Sequence, residues 1–275
     1  MCITVNHAKL SGTKILSIPV ENGKHFIAYS NKAQNLSGKP NAMILPVPGE
    51  TKQEWFYDTT KYKNFMEEIT EKCDYGTYLG VLFRSLSSKS AKFDQFELGM
   101  YTVGLSKDFG GVEEFINSLP ENKKPEISES LKSFFKEKCA GWSFVVCVFD
   151  TEKTIDAQPI AFEYTPFNYD LIYFPTVDSH DGGAPNLKEL VEADHTFIYE
   201  HTGPTGENKL MQEFVTLKAE VPEFLNKRKY RAKSLRGKYV NGDTYINISN
   251  INDINFSDEP HFERSYPTPF VPENV

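Results

Sequence analysis

Apolar and polar residues alternate in short runs through the first fifty positions, CITVN, TKILSIPV, KHFIAYSN and NAMILPVP, set apart by Gly12, Gly23, Gly38 and Pro40. A period of two with turn residues about every ten positions predicts consecutive antiparallel strands, a β-meander. The period changes in KYKNFMEEITEKC, residues 61–73. There Tyr62, Phe65, Met66, Ile69 and Cys73 fall on one helical face and Glu67, Glu68 and Glu71 on the other, which predicts an amphipathic helix lying on the sheet.

After a Ser- and Lys-rich loop from Ser85 to Lys92, FELGMYTVGLS alternates as one strand. VEEFINSL and SESLKSFFKEKC have helical spacing; Ser128 is placed to cap the second, and Pro120 and Pro125 separate the two. WSFVVCVF, residues 142–149, is apolar almost throughout and predicts a central strand covered on both faces, with Cys147 as core packing. PIAFEYTP, DLIYFPT and HTFIYEH read as three further strands, EFVTLKAEV and DTYINIS as two more, and PEFLNKR as a helical turn. The expected fold class is α+β: largely antiparallel β-sheet with two or three amphipathic helices packed on it. Residues 1–256 are expected to form a single domain, and 257–275, with four prolines in nineteen positions, a C-terminal tail over its surface.

Composition changes this picture little but narrows the partners. With 39% hydrophobic residues, including 21 Phe and 14 Tyr, the chain has the material for a substantial core. A net charge of -8 repels a phosphate backbone and argues against nucleic acid as the main partner. The local exception is NKRKYRAKSLRGK, Asn226 to Lys238, read as a solvated basic strand pair or helix end. The first twenty residues lack the basic start, apolar run and cleavage site of a secretory signal, and no stretch approaches ~18 apolar residues, so a cytoplasmic protein without a membrane segment is expected. Cys2, Cys73, Cys139 and Cys147 form no CxxC pair and read as reduced thiols.

The start MCITVN carries one pointed chemical possibility. Initiator methionine is normally trimmed before a residue as small as cysteine, which would leave a thiol and a free α-amine on one residue. An amine with a pKa near ~7.7–8.0 can take the thiol's proton around neutral pH. In this the start resembles the cysteine branch of the N-terminal nucleophile hydrolases, amide-cleaving acylases and glutamine amidotransferases. The resemblance implies Cys2 as nucleophile and a small amide substrate. It does not extend to the acylases' early arginine, since no Arg precedes Arg84, or to the amidotransferases' CGI start. Asn41 and Asn168, amides at strand ends, are the candidate oxyanion donors.

A second constellation is SHDGGAPNLKELVEADHTFIYEH. His180, Asp181, Asp194, His195 and His201 are ligand types for a divalent metal, with the Gly182–Gly183 turn able to close a loop round an ion. The same letters also read as a turn built by Asp181 and an Asp194 that bonds backbone. Alternation in HTFIYEH places His195, Phe197, Tyr199 and His201 on one strand face. A histidine here, backed by Asp181 or Asp194, is also the type that would orient a Cys2 thiolate, provided two distant strand ends meet. A third feature is the aromatic run AFEYTPFNYDLIYF, suited either to core strands or to a recognition surface. KDFGGVEEF lacks the P-loop lysine and the dinucleotide glycine spacing, and reads as a helix start.

With no active-site motif complete, the leading expectation is surface recognition of a protein partner or ligand without a cofactor. A Cys2 amide hydrolase is the alternative, and a metal-dependent hydrolase at His180–His201 a third reading.

Overall fold

The computed structural model describes residues 3–60, 62–74, 94–150, 153–201, 217, 221–226, 228–251 and 263–264. The chain begins with β1 (Ile3–Thr4), β2 (Ala8–Val20), β3 (Lys24–Asn35), β4 (Asn41–Val47), β5 (Gly49–Glu50) and β6 (Phe56–Tyr57), then helix α1 (Phe65–Asp74). β7 (Asp94–Leu98), β8 (Tyr101–Ser106), α2 (Phe109–Ser118), α3 (Glu129–Lys138) and β9 (Ser143–Phe149) follow. β10 (Ile155–Asp156), β11 (Ile160–Pro166), β12 (Leu171–Phe174), β13 (Leu190–Glu200), β14 (Tyr230–Val240), β15 (Thr244–Asn247) and β16 (Glu263–Arg264) complete it. The fold is α+β with mostly antiparallel sheet.

Two sheets divide the strands. One has the order β1-β4-β9-β8-β7, the other β14-β13-β2-β3-β11-β5, and a short β12-β15-β16 sheet stands beside them. The expected N-terminal meander is therefore split: β2 and β3 form a hairpin, while β4 crosses to the other sheet and pairs with β9. Between β13 and β2 the pairing is parallel, His195 lying opposite Thr13.

β9 is buried at every position and lies between β4 and β8, as a continuous apolar run requires. α2 and α3 cover one side of its sheet, where the Phe109, Phe135 and Phe144 rings meet with centroids 5.2–5.7 Å apart. Fully burying such a side chain is worth roughly 1.5–3 kcal/mol. Asp108 caps α2 by accepting from Gly111 N, and Ser128 caps α3 by accepting from Leu131 N. The other face of the eight-stranded sheet receives α1, whose Phe65, Met66 and Ile69 join Leu16, Ile18, Phe26 and Ile198 in a second core cluster.

Two expected elements differ. FELGMYTVGLS is a hairpin, β7–β8, because Gly99 takes a left-handed φ of +57° and the Gln158 side chain fills the space a Cβ would need. Conversely Gly12 does not end a strand: β2 runs through it with a bulge between Ser11 and Lys14. EFVTLKAEV and the Ser85–Lys92 loop lie outside the described residues, as does all of the tail except Glu263–Arg264, which pairs with β15. Among the described residues no helix is long and apolar enough to cross a membrane.

Candidate recognition surface

The aromatic run between β11 and β12 separates into two populations. Phe162 and Tyr164 on β11 and Tyr173 and Phe174 on β12 are buried in the main core. The turn between the strands instead exposes Phe167 (39%) and Tyr169 (44%), among the most exposed large hydrophobic residues described. The turn is held at several points. Phe167 N donates to Pro48 O (3.0 Å), and Asn168 closes an Asx turn by accepting from Asp170 N (3.0 Å). From below, His25 Nε2 meets Tyr169 O at 2.9 Å and its ring lies 5.0 Å from the Tyr169 ring. Two aromatic side chains are thus presented on pinned backbone, whose ordering entropy is already lost on folding.

The bond to a carbonyl fixes the proton of His25 on Nε2. Nδ1 is then an acceptor, facing the Tyr164 hydroxyl at 3.5 Å. Burial lowers the His25 pKa to about 4, so the ring is neutral under ordinary conditions. Beside it, Lys24 pairs with Glu163 (2.9 Å), and its ammonium sits 3.9 Å from the centre of the Trp55 ring, with Lys52 at 5.0 Å. Glu163 also accepts from Tyr57, whose hydroxyl is pushed up by burial and by that carboxylate. Sequence reasoning passed over His25 and Trp55. The available signals were a lone histidine in an otherwise apolar strand, and a tryptophan downstream of Lys52.

The residues singled out from sequence are distributed as follows. Cys2 lies outside the described residues. Asn41 is buried and fully committed within the chain: Oδ1 accepts from Asn6 N and Ala42 N, and Nδ2 donates to Asn6 O, His7 O and Asn35 Oδ1. Asn168 is exposed in the aromatic turn. His180 and Asp181 belong to one loop, in which Asp181 Oδ1 accepts from Gly183 N (2.8 Å) and Ser179 Oγ (3.2 Å). Gly182, at φ +84°, brings its backbone so near Val5 O that a Cβ would lie 2.6 Å from that oxygen, and its carbonyl accepts from Ser128 Oγ. His180 Nε2 is 3.2 Å from Asp178 Oδ1 but off the line a hydrogen bond needs, and burial lowers its pKa to about 4.

On β13, Asp194 accepts from Gly12 N across the parallel pair (2.9 Å). His195 is buried and stacked with Phe197, and His201 is buried with Nε2 3.4 Å from Arg231. Among the described residues no three His, Cys, Asp or Glu side chains converge as a metal ion would require. The structure does bring the N-terminal stretch to the His180 loop: Ile3 bridges Ser179 in parallel, and Thr4 N donates to Ser179 O (2.9 Å).

A cleft of about 640 Å³ opens between the β2 bulge and α1, lined by Gly12, Lys14, Lys32, Tyr62, Glu67 and Asp156 among others. Two of its cations are paired within the chain, Lys14 to Glu67 at 2.8 Å and Lys32 to Asp156 at 3.6 Å. None of Asn41, Asn168, His180, Asp181, Asp194, His195 and His201 lines it.

Compared with known proteins, the chain matches no family model and no curated sequence. Among solved structures it is similar to baculovirus P35, at 16% identity over 90% of this chain and 92% of that one, with a TM-score of 0.45. A mutated baculovirus P35 after caspase cleavage gives 14% identity, coverage of 87% and 98%, and a TM-score of 0.47. A caspase-8/P35 complex gives 18%, 72% and 66%, and 0.42.

Proposed function

We propose that this chain acts by surface recognition of a protein partner, and that the Phe167–Asp170 turn is part of the contact surface. The observation that carries this reading is the exposure of Phe167 and Tyr169 on backbone fastened by Pro48, Asn168 and His25. Exposed aromatic side chains cost burial energy unless something covers them, and rigid aromatic anchors are the residue type that dominates protein interfaces. The flanking Lys24, Lys52 and Glu163 supply the polar rim such a patch uses.

Site-specific photocrosslinking in the producing cells tests the reading. A benzophenone side chain at position 167 or 169 is expected to capture the same partner, while one at Leu36, equally exposed at 44% on the β3–β4 connection, captures none of it. Identical products from all three positions, or none from 167 and 169, refute the proposal.

A second reading keeps Cys2 as the nucleophile of an amide hydrolase. What favours it is the backbone bridge from Ile3, the residue after Cys2, to Ser179, the residue before a neutral His180. Intact mass tests it first, because a retained Met1 blocks the amine. Selective labelling of Cys2 by a β-lactone probe near neutral pH is the second requirement.

A further inference from the structure

Among the described strands β14 is an edge of the eight-stranded sheet, paired on one side by β13. An edge strand offers a row of main-chain donors and acceptors to any extended segment that fits beside it. The eleven residues YRAKSLRGKYV contain Arg231, Lys233, Arg236 and Lys238 and no acidic residue, in a chain whose net charge is -8. The basic stretch of the sequence is thus gathered onto one sheet edge.

Register adds a second observation. Val240 lies opposite Leu190, Lys238 opposite Glu192, and Arg236 opposite Asp194. Directly opposed residues share a face, so the end of this ribbon shows an apolar pair followed by two cations on its outer strand, each across from a β13 carboxylate. Arg236 Nε lies 3.7 Å from Asp194 Oδ1 in an exposed pair, which solvent screens and an added strand can share. Leu190 (62%) and Val240 (49%) are the most exposed large hydrophobic residues described. Charge alone suffices to guard an edge against aggregation, and an exposed Leu–Val pair works against that purpose. A second copy of the chain is a poor occupant, because β14 placed against β14 brings cations toward cations. An acidic extended segment satisfies the backbone, the charges and the apolar pair together.

We propose that the β14 edge docks an extended acidic peptide segment of a partner protein, which joins the sheet as an added strand. Its carboxylates lie against Arg236 and Lys238, and an apolar side chain covers Leu190 and Val240. This surface uses neither Phe167 nor Tyr169, so its success or failure is read separately from that of the aromatic turn.

The test uses the full chain and a fluorescein-labelled ten-residue peptide alternating glutamate with valine or threonine, with a lysine-for-glutamate counterpart as control. Fluorescence anisotropy is expected to show the acidic peptide binding at least tenfold more tightly than the basic one, and hydrogen exchange to slow along β14 when it binds. Arg236→Glu with Lys238→Glu is expected to weaken binding tenfold or more. If that variant unfolds, Leu190→Ser, which removes only apolar contact at an exposed position, is expected to weaken binding severalfold. Equal binding of the two peptides, protection confined to other strands, or β14 protection that rises with protein concentration without peptide overturns the proposal, the last by assigning the edge to a second copy.

Discussion

Replacing His25 by Gln isolates one buried titration. In the folded chain burial holds the His25 pKa at about 4, against 6.5 when it is solvated. The sign follows from proton counting. Below pH 6.5 the unfolded chain takes up a proton that the folded chain refuses, so stability is fully present above 6.5 and is lost as pH falls toward 4. At 1.36 kcal/mol per pKa unit the ceiling is about 3 kcal/mol, and at pH 5 about 2 kcal/mol has gone. Gln keeps a donor for Tyr169 O and a volume close to imidazole but does not titrate. Urea unfolding at pH 7.5 and 5.0 reads the effect: the parent is expected to lose about 2 kcal/mol more than the variant over that interval. His180, also held at about 4, and the buried Glu200 and Asp243, whose pKa values burial raises, titrate in both proteins and cancel in the comparison. Equal losses in parent and variant would show that His25 is accessible to protons in the folded chain and that it does not anchor the turn.

The remaining expectations concern the supports of the fold and of the turn. Gly182→Ala is expected to cost more than about 2 kcal/mol, since left-handed backbone strain of roughly 1–2 kcal/mol is joined by a contact with Val5 O, and a drop in thermal midpoint reads it. Ser128→Ala removes the α3 cap and the bond to Gly182 O together, and about 1–2 kcal/mol should be lost in urea titration. Asn168→Ala deletes the Asx acceptor for Asp170 N, so global stability should shift by less than about 1 kcal/mol while amide exchange at Asp170 and Leu171 quickens. An unchanged exchange rate there would mean that the turn is held without Asn168.

Where local pattern and tertiary environment agree, the fold was legible. β9 is apolar throughout and buried throughout; α3 has Ser128 where a cap belongs, and the cap bond is made. Legibility failed where a single residue has two uses. Gly12 makes a bulge inside a strand and Gly99 a hairpin between two, a difference set by Gln158 packing against Gly99 and by Asp194 accepting from Gly12 N, both remote in sequence. The transfer of β4 to the second sheet leaves no local trace, because NAMILPV is a good strand in either place. At the candidate surface the aromatic letters were visible, but their division was not. Pro166 and the Asn168–Asp170 turn mark where strand gives way to exposure, while the carbonyl contact from His25, more than a hundred residues earlier, is a product of folding alone.

On their outer sides the N-terminal strands acquire their neighbours only from distant sequence, β1 from Ser179 and β2 from β13. Thr4 bonds to Ser179, 175 positions on, and Gly12 to Asp194, 182 positions on. During synthesis at roughly 5–20 residues per second, the first segments leave the ribosome on the order of ten to forty seconds before the chain that completes them. Throughout that delay β1 and β2 are unfinished edges open to foreign strands, so yield on rapid overexpression should depend on chaperone supply and translation speed more than on the stability of the finished protein.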